Sequence, residues 1–423
     1  MKLLFSSNKV TSDINRQINF FLLASLFSRC VFIYTIIVVF FQQYNLNFRQ
    51  ILLISAIEGM ITFVFEIPSG IIADAWGKKR TVLAGILLGI FGLACYIIHP
   101  SFGFFIVAEV LMAAGSAFES GARTAIIYGK FEEYNIKDEY RSFVTKKARL
   151  MPIAASITVL SSSVLFSINS YLPFYLSILC MSLSFVLLYL IEDDHKAKAK
   201  KQTSSKDARI LTATAVARNS FLSFFRNKQL LTLSLCSAFL ITMYSNTAYL
   251  SQAYLLDLGL PLRLMGLFYF VFNLMSSLSA SYSERLFKTF SMNRFLVFFF
   301  FMCVSTALLN FQLLFLVIPL YLFFCFINGV ISQTINSEIP ALTDEANRAT
   351  VLSIVRFIQG FFALIFEPLL GLVIDHTGIS TMYLVLGLST SFIVLLALVY
   401  LYVKREIITS TSRPIATGGR GQT

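Results

Sequence analysis

Charge is what this sequence has least of: only 13% of its 423 residues are Asp, Glu, Lys or Arg. Soluble globular chains carry roughly twice that share. Too little polar surface remains to dissolve a protein this long, so lipid is the expected outer solvent. Histidine is down to three residues, all in loops or at helix ends, and no CxxC or Cys/His cluster occurs. Metal and redox chemistry therefore have no support. The six cysteines (Cys30, Cys95, Cys180, Cys236, Cys303, Cys325) fall inside apolar runs and read as small hydrophobes. No Gly-x-x-x-x-Gly-Lys-[Ser/Thr] loop is present, which argues against ATP-driven pumping by this chain. No nucleophile constellation argues for an enzyme, and no cofactor is implied. A cleavable signal peptide is not expected either, because the first apolar run, from Ile18, spans about 25 residues, too long for a signal core.

What the sequence does have is 57% hydrophobic residues, with 44 Phe and 18 Tyr. A helix needs about 20 apolar residues to cross a hydrocarbon core about 30 Å thick. Runs of that kind begin near Ile18, Phe48, Thr81, Phe102, Leu150, Tyr171, Leu230, Leu264, Phe295, Leu313, Thr350 and Ser380. They predict an all-α integral membrane protein with twelve transmembrane helices. Joints as short as His99-Pro100-Ser101 and Asn169-Ser170-Tyr171 force their neighbours to run antiparallel.

The net charge of +12 would suggest nucleic acid in a soluble chain; here the bases sit between apolar runs and report topology instead. With a cytoplasmic N-terminus, 29 of the 34 Lys and Arg fall on the cytoplasmic side. Two fall outside (Arg49, Arg263), and three (Arg29, Arg123, Arg356) lie within or at the ends of helices. Both termini are thus expected in the cytoplasm. The longest polar stretch divides the helices six and six. The expected segments are a cytoplasmic N-terminus at 1–17, a helical bundle at 18–191, a cytoplasmic linker at 192–228, a second bundle at 229–404 and a tail at 405–423. Within the linker, Ile210 to Phe225 reads either as an amphipathic helix on the inner leaflet or as a solvated connector. The Ser-, Thr- and Gly-rich tail reads as disordered.

Between the second and third runs stands Gly70-Ile-Ile-Ala-Asp74-Ala-Trp-Gly77-Lys78-Lys79-Arg80, preceded by Phe65-Glu66-Ile67-Pro68-Ser69. This resembles the signature loop of the major facilitator superfamily, Gly-x-x-x-Asp-x-x-Gly-Arg-Lys-Arg, in the same place. Gly70 would admit a close helix approach, Gly77 a tight turn, and Lys78, Lys79 and Arg80 an anchor at anionic headgroups. Asp74 would pair with a base or with the N-terminus of a neighbouring helix. The resemblance implies two six-helix bundles around a central cavity, with this cluster latching one state. A degenerate echo, Ala280-Ser-Tyr-Ser-Glu284-Arg285-Leu-Phe-Lys288, stands in the second half. Another, Phe366-Glu367 … Gly371 … Asp375 … Gly378, repeats the spacing Phe65-Glu66 … Gly70 … Asp74 … Gly77 on the opposite face, as inverted repeats would. The segments Gly115 to Tyr128 and Pro340 to Gly371 are also similar to the superfamily's bacterial exporters. The usual arginine of the fourth helix is replaced by Glu109, and the fifth-helix Gly-Pro-x-x-Gly-Gly motif by Leu150-Met-Pro152-Ile-Ala-Ala. Both departures weaken an inference of antiport.

Ionisable groups at membrane depth cost about 2.5–3.5 kcal/mol on insertion scales and survive where they face a cavity or a partner. Arg29, Glu58, Glu66 and Glu109 are such groups and are the proton-coupling candidates, with Arg29 and Glu109 expected to face each other. Arg356 and Glu367 lie about 16 Å apart along one helix and so need separate partners. Tyr244, Asn246 and Tyr249 in the seventh run, and Asn328, Ser332, Gln333 and Asn336 in the tenth, are the candidate substrate ligands; Asn328, Ser332 and Asn336 stack on one helix face.

The leading expectation is proton-coupled export of a drug-like or metabolite small molecule by a monomer in a bacterial cytoplasmic membrane, with protons and membrane lipids as its other partners. Nutrient import by proton symport and a non-transporting receptor or scaffold are the alternatives. Reporter fusions test the orientation: a phosphatase fused after Lys200 is expected to be silent and one fused after Ser170 active.

Overall fold

At membrane depth the backbone has no water to bond, so each spanning segment satisfies its own N–H and C=O groups as a helix. In a computed structural model, the structure describes residues 9–134, 136–192, 224–286, 292–343 and 348–411. Most of the linker, residues 210–223 of the amphipathic segment, Lys288 of the first echo and the tail beyond 411 lie outside the described residues. The helices are α1 (Lys9–Phe27), α2 (Ile37–Gln43), α3 (Phe48–Trp76), α4 (Lys78–Ile98), α5 (Phe102–Glu133), α6 (Lys137–Ile168) and α7 (Leu172–Tyr189). They continue with α8 (Lys228–Asp257), α9 (Met265–Leu286), α10 (Met292–Leu308), α11 (Leu314–Ala341), α12 (Arg348–Thr377) and α13 (Ile379–Thr411). Eleven of the described helices are long and apolar enough to cross a membrane.

The first expected span is the exception. The run from Ile18 does not form one helix: it breaks between α1 and α2, over residues 28–36. A break at this depth is tolerated only where side chains replace the missing ladder, and here they do. Ser177 Oγ accepts the Phe32 N–H at 2.8 Å, and Ser162 Oγ donates to the Phe32 carbonyl. Ser162 also accepts from Thr35 Oγ1 at 2.8 Å. Gln252 of α8 takes the Val38 N–H at 2.9 Å and gives its own N–H to the Tyr34 carbonyl at 2.9 Å. Arg123 holds Ser28 Oγ at 2.8 Å. Ser162 of the fifth run, where the glycine motif is absent, is thus one of the partners of the broken first span.

Contacts divide the described chain into two compact units, 1–271 with 339–379, and 272–338 with 380–423. In the first unit α4 and α5 meet backbone to backbone. A Cβ on Gly85 would lie 2.7 Å from the Gly115 carbonyl oxygen, and one on Gly115 would lie 2.5 Å from that of Gly85. Helix α12 lies along α3: the Phe63 and Phe357 rings are 5.0 Å apart, and a Cβ on Gly371 would strike Arg49 Cα at 2.4 Å. In the second unit small residues again set the spacing. Gly329 of α11 lies against Ser279 of α9, and Gly387 of α13 against Ala307 of α10. Tyr321 donates to Tyr383 at 2.9 Å, and the thiol of Cys325 donates to the Phe272 carbonyl at 3.0 Å. None of the six cysteines is in a disulfide.

Glycine positions give a matched test. Gly115→Ala is expected to lower stability by about 1–3 kcal/mol through overpacking, whereas Gly59→Ala, where a Cβ meets nothing within 4 Å, is expected to be neutral or stabilising; thermal unfolding in detergent measures both.

Candidate functional site

The Asp and glycines of the signature loop and its echo behave differently. Gly77 has φ +101° and lets α3 turn directly into α4. Gly70 is exposed and a Cβ there would meet nothing within 4 Å, so it is not a point of close helix approach as expected. Asp74 is exposed and makes no ion pair among the described residues. Lys79 is held by its own bundle: its Nζ donates to the Ile191 carbonyl at 2.5 Å, just past the end of α7, and lies 5.5 Å from the Tyr189 ring centre. A cation there meets the negative end of the helix dipole. Lys78 is partly exposed and Arg80 exposed.

The helix-end chemistry expected of Asp74 occurs instead at Asp375 in the echo. Asp375 Oδ1 accepts the Phe48 N–H at 2.8 Å and Oδ2 accepts the Arg49 N–H at 3.1 Å. Asn47 caps the Gln50 N–H, and Gln50 returns a bond to the Asn47 N–H. Every free N–H of the first turn of α3 is therefore met. Gly371, one turn before Asp375, supplies the clearance.

A cavity of about 700 Å³ opens in the first unit between α3, α5, α8 and α12. Glu58, Glu66, Tyr249, Arg356, Gln359 and Glu367 stand in its wall. Glu66 and Arg356 form an ion pair across it. Glu367 is buried and accepts from Asn246 Nδ2 at 3.1 Å. Arg356 and Glu367 do use separate partners, as their separation along α12 requires. Glu58 has no ion-pair partner among the described residues.

A second cavity, of about 380 Å³, lies beside the break in the first span. Its wall carries Arg29, Arg123 and Lys147 with one acid, Glu119. Arg123 pairs with Glu119 one turn away, and its buried Nε is left without a partner. Arg29 does not face Glu109. The break places Arg29 in this basic cavity, while Glu109 points from α5 towards α4, where it accepts from Tyr96 Oη. Around that pair pack Phe105, with its ring centre 5.5 Å from Tyr96, and Phe174 at 5.3 Å.

Of the substrate candidates, Tyr249 lines the larger cavity and Asn246 anchors Glu367 behind it; Tyr244 stands outside its wall. In the second unit Asn328 is buried and accepts from Ser332 Oγ at 3.2 Å, so those two do share a face. Gln333 is exposed, and the side chain of Asn336 lies outside the description. Glu119, Lys147, Arg356 and Glu367 were not among the expected site residues. Each has a charge inside or beside an apolar run, which was the available signal.

A family model described as Major Facilitator Superfamily matches residues 19–366. The protein called "Uncharacterized MFS-type transporter YxaM", from Bacillus subtilis (strain 168), is 24% identical over 224 residues, 52% of this chain and 53% of its own. The chain thus spans about half the length of the curated relative it matches. A mutant of the nucleoside transporter NupG has a similar fold, with a TM-score of 0.74 and 13% identity over 91% of this chain and 99% of that one. A D-xylose-proton symporter gives a TM-score of 0.62 and 9% identity over 92% and 97%.

The Tyr96–Glu109 pair generates a stability test. Tyr96→Phe leaves a buried carboxyl without its partner and is expected to cost about 1–3 kcal/mol. Adding Glu109→Met should recover most of that loss in thermal unfolding, because both polar groups are then gone.

Proposed function

Because the chain belongs to the major facilitator superfamily, and so to a family of multi-pass secondary transporters, we propose that it is a proton-coupled exporter of an organic small molecule. The observation that carries this reading is the larger cavity, which holds two carboxylates, Glu58 and Glu367, without a compensating cation. A carboxylate at membrane depth is retained where it takes up and releases something positive, and a proton is the smallest such cargo. Glu58 and Glu367 are the carriers in this reading. Glu109, walled in by aromatic rings, is a weaker candidate than its sequence position suggested. The pair α1 and α2 counts as the first of twelve spans, and both termini face the cytoplasm. The bundles 18–191 and 229–404 rock about the solute.

Alternation needs one closure on each face. Asp375 on the N-terminus of α3 supports a latch on the face away from the basic loops, and Asp74 with Lys78, Lys79 and Arg80 supplies its counterpart when the other face closes. Binding energy that differs between the two states is what lets solute and proton move the equilibrium. The fold shared with a D-xylose-proton symporter favours a second reading, import with protons.

Proteoliposomes with an imposed pH gradient separate these readings and test the carriers. Glu58→Gln is expected to reduce gradient-driven solute accumulation by at least about tenfold, the equivalent of 1.4 kcal/mol, while downhill exchange persists. Accumulation at the wild-type level would remove Glu58 as carrier, and the sign of the gradient that drives accumulation reports the direction.

A further inference from the structure

Resting on the transport reading, we propose that the solute is a zwitterion of about dipeptide size, its cationic group held in the larger cavity and its anionic group beside the broken first span. The two cavities share Tyr34, Ser116 and Ser120 in their walls, so they are neighbours within one unit. Their charges are opposite. In the larger one, Glu66 is matched by Arg356, which leaves Glu58 and Glu367 and a formal charge of two negative when both are ionised. In the smaller one, Glu119 is matched by Arg123, which leaves Arg29 and Lys147 and a net charge of two positive. Neither Arg29 nor Lys147 has an acidic partner among the described residues.

A solute with a carboxylate and an ammonium group compensates both cavities at once; a simple cation or anion compensates one and leaves the other uncompensated. The volumes of about 700 and 380 Å³ lie in the range of small-molecule sites. Tyr34 and Tyr249 stand in the wall of the larger cavity, and aromatic faces attract a cation. A carboxylate that holds the solute's ammonium cannot hold a proton at the same time, which is the mutual exclusion that exchange of solute for proton requires.

The test uses three matched probes: L-alanyl-L-phenylalanine, its methyl ester, which is only a cation, and its N-acetyl derivative, which is only an anion. Binding to the purified full-length protein in detergent is measured by calorimetry, and flux by counterflow in proteoliposomes. The dipeptide is expected to bind at least about tenfold more tightly than either derivative, or 1.4 kcal/mol. Lys147→Gln, and independently Arg29→Gln, should abolish its advantage over the ester; Glu367→Gln should abolish its advantage over the N-acetyl form. Equal binding of all three, preference for the ester or the N-acetyl form, or no binding of any overturns the proposal. Counterflow keeps the two readings apart. Dipeptide binding without flux leaves this site standing and removes transport. Flux of the derivatives without preference for the dipeptide keeps transport and removes the site.

Discussion

An unwound stretch of backbone inside a membrane has to find its hydrogen bonds within the protein, and that requirement organises the first unit. Between α1 and α2 the helical ladder lapses, and Ser162, Ser177 and Gln252 take over its work. The two serines lie on α6 and α7, and the glutamine on α8, so three helices are fixed around one break. The same break turns Arg29 away from Glu109 and into the basic cavity. Ser162 of α6, in a run that lacks the glycine motif, acquires a reason: it is short enough to let the helices approach and polar enough to bond the exposed carbonyl.

The remaining charges follow a consistent rule. Where a buried or half-buried charge has an opposite within reach it is paired, as in Glu66 with Arg356 and Glu119 with Arg123. Of the charges left over, Glu58 and Glu367 line one cavity, Arg29 and Lys147 line the adjoining one, and Glu109 stands apart against Tyr96. Purely structural ion pairing would not separate them this way, since placing Glu58 with Arg29 would neutralise both. The sorting therefore argues for a function that uses the separation.

Much of this was legible in the sequence. Run lengths gave the spans from Phe48 onward, because a twenty-residue apolar helix leaves a composition signal that no other fold needs. The need of Arg356 and Glu367 for different partners followed from helix rise alone. The break at residues 28–36 was not legible, since its cause is the side chains of three distant helices rather than a Pro or Gly in the run itself. Helix rotation was hidden for the same reason. Position along a run can be counted in a sequence, but which neighbour a side chain meets depends on packing, so Glu109 was matched with the wrong partner. The signature loop shows the opposite limit. Its repeat spacing correctly marked Asp375 and Gly371 as special, yet the roles ascribed to Asp74 and Gly70 are played in this structure by the echo.

Gln252 spends both ends of one amide on the broken span, accepting from Val38 and donating to the Tyr34 carbonyl. Pulling α8 away from that span would release both bonds together, in surroundings where water is scarce and each bare group is costly. The two segments are therefore geared as one part. Any motion that separates them has to break both bonds at one side-chain amide together.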